Sequence, residues 1–112
     1  MINGMDFISL REMQIEVDNW VQQFDPAYWP PLSIMAQISE ETGELARNLN
    51  NMYGGRVKKQ ADSIKGLGEE ICDIMFALIC LANSHNIDLD KVWKETISRR
   101  CKRDENRYKK KF

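Results

Sequence analysis

The chain lacks an excess of either charge: its 112 residues carry 16 Lys and Arg against 17 Asp and Glu, a formal net charge of -1. The molecule as a whole therefore offers no bulk attraction to nucleic acid or to an anionic membrane, and any phosphate it binds has to be met by a local site. A long hydrophobic run is also missing. The longest apolar-rich stretch, Ile71 to Ala82, has 12 residues and is too short to span a bilayer. Met1-Ile2-Asn3-Gly4-Met5-Asp6 has neither a basic region nor an apolar core, so no signal peptide and no membrane anchor are expected. Cys72, Cys80 and Cys101 show no metal-ligand spacing, and an odd number without a secretory leader points to reduced thiols in a cytoplasm. No base pattern accompanies them, so no catalytic thiol is expected. His85 is the single histidine. It falls where a helix end favours it and is assigned no role. With one histidine the chain cannot supply the Glu-x-x-His pairs of a ferritin-like di-metal centre.

What the sequence does have is helical period. Leu10, Met13, Val17, Trp20, Val21 and Phe24 recur at three- and four-residue spacings, which predicts a first amphipathic helix over 9–24. Asp25-Pro26 and Trp29-Pro30-Pro31 then interrupt the period, because proline lacks an amide donor and restricts the residue before it. A second helix is expected from Leu32 or Ser33, carrying Ile34, Ile38, Leu45, Leu49 and Met52, and ending before Gly54-Gly55, where glycine supplies a left-handed cap. Gly54 to Gly66 is polar and basic and reads as a loop. A third helix runs from about Leu67 to Ser84 and is apolar on every side between Ile71 and Ala82 except at Asp73. Asn86-Ile87-Asp88 closes it, and Asp88 is the expected N-cap of a fourth helix bearing Val92, Trp93, Ile97 and Cys101. No internal repeat or strand pattern is present. The expected architecture is a single all-α domain over 1–112, a four-helix bundle with a basic tail at about 104–112. A helix without a polar face needs covering from all sides, so the third helix is expected at a subunit interface.

Two acidic pairs break the apolar pattern. Glu41 occupies a position in the second helix that the period reserves for the core, and Glu44 lies three residues on, about 60° away on the same side. In the third helix Glu70 stands three residues before Asp73, inside the most apolar segment of the chain. Both pairs are expected to face inward. Ionised carboxylates in apolar surroundings are costly unless paired or bound to a metal, and four together repel one another. Magnesium, which takes oxygen ligands and keeps several waters, suits such a cluster; lysine or arginine partners are the rival solution.

Glu40-Glu41-Thr42-Gly43-Glu44-Leu45-Ala46 followed by Gly68-Glu69-Glu70-Ile71-Cys72-Asp73-Ile74 resembles the Glu-x-x-Glu and Glu-x-x-Asp pattern of the MazG-like nucleotide pyrophosphohydrolases. The resemblance continues through Leu78-Ile79-Cys80-Leu81-Ala82 and Asn86-Ile87-Asp88-Leu89, so it covers nearly the whole chain, and it is closest to the small single-domain bacterial members. It implies an oligomeric all-α enzyme, a homodimer or homotetramer, that binds Mg2+, with Mn2+ as a substitute. Such an enzyme cleaves a nucleoside triphosphate between the α and β phosphates to a monophosphate and pyrophosphate. The metal ligands map to Glu41, Glu44, Glu70 and Asp73, and Glu40 or Glu44 is the spare carboxylate that accepts the proton of the attacking water.

A triphosphate also calls for cations and an aromatic slot. Lys58 in the loop, with Arg56 and Lys59, and Arg99 and Arg103 on the fourth helix are the candidates for phosphate; Arg99 and Arg103 share a face as i, i+4 neighbours. Cys101 stands where relatives would have an Asn, a departure in this phosphate or sugar region. Trp29 and Tyr28 are the candidates for the base, beside Phe24 and Trp20, the last of which is expected in the core. The alternatives are a pyrophosphohydrolase of a specialised nucleotide such as phosphoribosyl-ATP, and a non-catalytic helical protein whose acidic pairs answer a basic partner.

Overall fold

The computed structural model describes residues 7–54 and 64–111. Among these residues there are four helices and no strand: α1 (Leu10–Val21), α2 (Pro31–Tyr53), α3 (Ile64–Ser84) and α4 (Leu89–Asp104). Local chemistry sets their ends. Ser9 caps α1, its hydroxyl accepting from the Glu12 amide at 3.0 Å, and Pro31 opens α2 at the position where a missing amide hydrogen costs nothing. Asn86 takes φ 54° after α3. Ile87 N–H then donates to the Ala82 carbonyl and Asn86 N–H to that of Asn83, the paired closure of a left-handed helix end. Asp88 caps α4 as expected, accepting from Asp90 N–H at 3.1 Å and Lys91 N–H at 3.4 Å.

Three expectations are corrected. Helix α3 begins at Ile64, so Gly66 and Lys65 are helical; an internal glycine costs about 1 kcal/mol relative to alanine, and the packing of α3 on α2 offsets it. Gly54 follows α2 with φ -83° and ψ 142°, not in the left-handed region. Its lack of a side chain is needed for space, since a Cβ there would run into the Asn50 carbonyl and side chain. Helix α1 stops at Val21, short of Phe24. Residues 55–63, with Arg56, Lys58 and Lys59, lie outside the described residues.

The main contact is between α2 and α3; α1 packs on α3 and, less extensively, on α4. The core is in two small patches. Val17, Val21 and Ile79 pack with Met13, Tyr28 and Leu89, while Ile34, Ile38 and Ala77 pack with Cys80 and Leu81. The second patch joins the start of α2 to the end of α3, so the two helices run antiparallel. Leu45 is half-buried and Leu49 39% exposed, because Asn48, at 3%, takes the deepest position of that half of α2. Helix α4 buries none of its residues.

A polar chain ties the corner together. Gln14 is buried in α1; its amide nitrogen donates to Asn83 Oδ1 at 2.8 Å and the Ile87 carbonyl at 2.7 Å, and its oxygen accepts from Leu89 N–H at 3.0 Å. Asn83 donates in turn to the Gln14 carbonyl and to the Tyr28 hydroxyl at 3.1 Å. The Tyr28 hydroxyl donates to Asp18 at 2.6 Å. One network thus fixes the end of α3, the start of α4 and the connector before α2.

Candidate active site

A cleft of about 580 Å³ opens between α1, the connector, α2 and α3. One wall is aromatic: Trp20 and Phe24 from α1 and its end, Tyr28 and Trp29 from the connector, and Phe76 from α3. Trp20 meets Phe24 edge to face at 5.0 Å and Phe76 at 5.9 Å. The expectation that Trp20 is core is overturned, since it is 55% exposed and faces this cleft. The physical reason is the length of α1: Val21 fills the core position that the period left open to either residue. Trp29, a candidate for the base, also lines the cleft. Phe76 was hidden within an all-apolar helix, although its place three residues after Asp73 puts the two on one side of α3.

The cleft also has polar lining. Glu41 from α2 and Asp73 from α3 both line the cleft, with Gln37 beside them. Gln37 donates its amide hydrogen to Glu41 Oε1 at 2.7 Å. Desolvation, followed by the charges of Glu44 and Asp73, pushes the Glu41 carboxyl above its ordinary range; the Gln37 hydrogen bond works against that rise, and Glu40 adds to it. Of the neighbouring carboxylates, Glu44, Asp73 and Glu40 are therefore close enough to be felt electrically at Glu41. The carboxylates do not all face inward, however. Glu41 and Glu70 are half-buried, whereas Glu44, Asp73 and Glu40 are exposed, Asp73 because the helix around it is uncovered on the cleft side.

The donor set suits a hard divalent cation. Glu70 Oε2 is shielded from solvent and has no hydrogen-bond partner. Among the described residues no Lys or Arg pairs with any of these carboxylates, the ion pairs there joining Arg103 and Arg107 to Asp104. The rival solution of cationic side-chain partners is thus not met among them. Equally, no three of the described acidic, His or Cys side chains close into a metal-binding group, and mutual repulsion is reason enough for carboxylates to stand apart without a counter-charge.

The cationic candidates are elsewhere. Neither Arg99 nor Arg103 lines the cleft. Arg103 makes two 3.1 Å hydrogen bonds to its neighbour Asp104, and Arg99 is exposed on α4. Lys58 lies outside the described residues. Cys101 is exposed, Cys80 lines the cleft with its thiol pushed up by burial, and all three cysteines are free. His85 Nδ1 stands 2.9 Å from the Leu81 carbonyl, a contact at the end of α3.

A four-helix chain that sets unpaired carboxylates against an aromatic wall has the makings of a site for a ligand with both a polyanionic part and a flat ring. Comparison with known proteins gives that class its family. The model of the MazG nucleotide pyrophosphohydrolase domain matches residues 30–108. The uncharacterized protein YpjD of Bacillus subtilis (strain 168) is 40% identical over 103 residues, 92% of this chain and 93% of that protein. The crystal structure of YpjD superposes with a TM-score of 0.77, covering 85% of this chain and 97% of the other. That of the Bacillus-conserved MazG protein, a nucleotide pyrophosphohydrolase, does so with a TM-score of 0.74 at 38% identity, covering 85% and 92%. The chain belongs to the MazG nucleotide pyrophosphohydrolase family, and it is a hydrolase acting on nucleotide pyrophosphate bonds.

Proposed function

We propose that the protein is a magnesium-dependent enzyme that hydrolyses nucleoside triphosphates, dNTPs or non-canonical NTPs, at the α–β phosphoanhydride to a monophosphate and pyrophosphate. The observation that carries this reading is that Glu41, Asp73 and the aromatic side chains line the same cleft. Glu41, Glu44, Glu70 and Asp73 would hold Mg2+, with Mn2+ able to replace it. When bound, the ion neutralises charge on the phosphates and lowers the pKa of a water.

The protein's own groups do the rest. Trp29 and Trp20 would offer ring faces to the base, and Glu40 or Glu44, both exposed on α2, would accept a proton from the attacking water. Gln37 holds Glu41 in orientation. Arg99, Arg103 and Lys58 are the phosphate contacts. Since the two arginines stand away from the cleft of their own chain, they fit this role best in a homo-oligomer, a dimer or tetramer, whose second copy presents α4 to the first. The uncovered apolar residues of α3 and α4 support that assembly. Free thiols are in keeping with a cytoplasmic setting.

The test is incubation with a panel of dNTPs and NTPs, with and without Mg2+, separating monophosphate and pyrophosphate from diphosphate and phosphate, beside Glu41→Gln. The expected result is magnesium-dependent monophosphate and pyrophosphate, lost in the variant. Diphosphate and phosphate as products would overturn the cleavage position, and turnover unaffected by chelator would overturn the metal.

A further inference from the structure

Asn48 is an amide where the helix period calls for an aliphatic side chain. It stands seven residues after Glu41 and four after Glu44, about 20° and 40° around α2 from them, so all three share a face. At 3% exposure it is as deeply buried as any described residue of the chain, and its Oδ1 is shielded from solvent without a hydrogen-bond partner. A shielded, unmet acceptor costs roughly 1–3 kcal/mol, which leucine at this position would avoid.

The other such oxygen among the described side chains is Glu70 Oε2, on the facing helix. The antiparallel packing of Ile34 and Ile38 on Ala77, Cys80 and Leu81 sets the register. Counting about 1.5 Å per residue from that patch, Glu70 and Asn48 come within about one turn of the same level. Side chains of a helix lean toward its N-terminus. In antiparallel neighbours the Glu70 side chain therefore leans toward the level of Asn48, and the Asn48 side chain toward that of Glu70 and Glu44. Two acceptors without a donor converge beneath the acidic face. Neither oxygen meets a donor among the described residues, and the waters of a hydrated divalent cation are donors toward their surroundings.

We infer that Asn48 is a positioning residue of the cation site, its Oδ1, together with Glu70 Oε2, accepting hydrogen bonds from metal-bound water and so fixing the hydration shell from below. The inference rests on the carboxylate cluster binding a divalent cation, as proposed above. Outer-shell partners of this kind typically carry 10- to 100-fold in metal affinity. The stability effect has the opposite sign. Replacing the amide by a hydrocarbon of similar shape removes the unmet acceptor, so the metal-free protein becomes more stable as the metal is bound less well.

The experiment uses the full chain stripped with EDTA and titrated with Mn2+, followed by electron paramagnetic resonance, with thermal melts of the metal-free proteins. Asn48→Leu is expected to raise the metal-free Tm and to weaken Mn2+ binding about tenfold. Asn48→Asp, which keeps an acceptor, is expected to retain Mn2+ binding, and this holds the inference open to test should the leucine variant fold poorly. Wild-type affinity in Asn48→Leu, with wild-type binding Mn2+ and Glu41→Gln not, would mean that an internal water meets the amide and would overturn the role of Asn48 alone. No Mn2+ binding by the wild-type protein would overturn the cation site itself and this role with it.

Discussion

The aromatic residues of the cleft are separable by what holds them. Trp29 is 57% exposed and no ring contact among the described residues holds it, so truncation removes a stacking surface at little cost to the fold. Base stacking on an aromatic side chain contributes about 1–3 kcal/mol, and Trp29→Ala is expected to raise KM about tenfold with a smaller change in kcat, measured by steady-state pyrophosphate release. Tyr28 is a different kind of wall. Its hydroxyl donates to Asp18 and accepts from Asn83, so it turns its polar atom away from substrate. Burial, and then Asp18, push its pKa up to about 12 from the ordinary 10.0 of a phenol, while the same bond, with that from Gln22, holds the Asp18 carboxyl below its ordinary value. A raised phenol pKa contributes stability that is complete below the unfolded value and is lost as pH climbs from about 10 through about 12. Urea unfolding should therefore show wild-type stability falling across that window, and Tyr28→Phe should flatten the fall. An equal alkaline slope in both proteins would mean that Tyr28 is not the group responsible. Glu41 and Asp73, which line the cleft, were legible in the sequence because each breaks a period. Asn48 and Gln14 break one too, but an amide in a stripe is less conspicuous than a charge, and an apolar tally passes over both.

At the scale of elements, the two buried amides predict opposite signs. Gln14 satisfies Asn83, Ile87 and Leu89 at once, and Gln14→Leu strands several buried groups where α1, α3 and α4 meet. With roughly 1–3 kcal/mol for each unmet group, a loss of about 2–4 kcal/mol is expected in urea denaturation, whereas the leucine variant at Asn48 gains. Both substitutions put an aliphatic residue into a helix stripe, so propensity alone would give them the same sign. All four helices, the proline connector and the Asp88 cap were readable from period and capping chemistry. The ends were less so. Gly66 lies inside α3 and Phe24 beyond α1, because tertiary packing decided how far each helix extends and local sequence did not. Which tryptophan faces the cleft was equally out of reach, since Trp20 and Val21 are adjacent and the stripe accommodates either.

The whole molecule leaves its most apolar helix only partly covered. Ile71, Phe76 and Leu78 of α3 are each between 40% and 46% exposed, and on α4 Val92, Trp93 and Ile97 are between 40% and 56%. Among the described residues no large side chain is fully buried. Scattered apolar residues on a surface are ordinary, but successive turns of two helices exposing them together call for a cover. Since those same helices carry Asp73 and the arginines proposed to meet a triphosphate, a second copy of the chain is the cover we propose, one that would also complete the site. Leu78→Lys tests this economically. In a lone chain a half-exposed leucine changes to lysine with little consequence; in an assembly it places a charge within an apolar contact. Sedimentation is expected to show the wild-type protein as a dimer or tetramer and the variant as a lighter species with reduced turnover. A wild-type protein sedimenting at its chain mass of 13.1 kDa with full activity would remove the need for a partner, and would return the burden of phosphate binding to residues of the single chain.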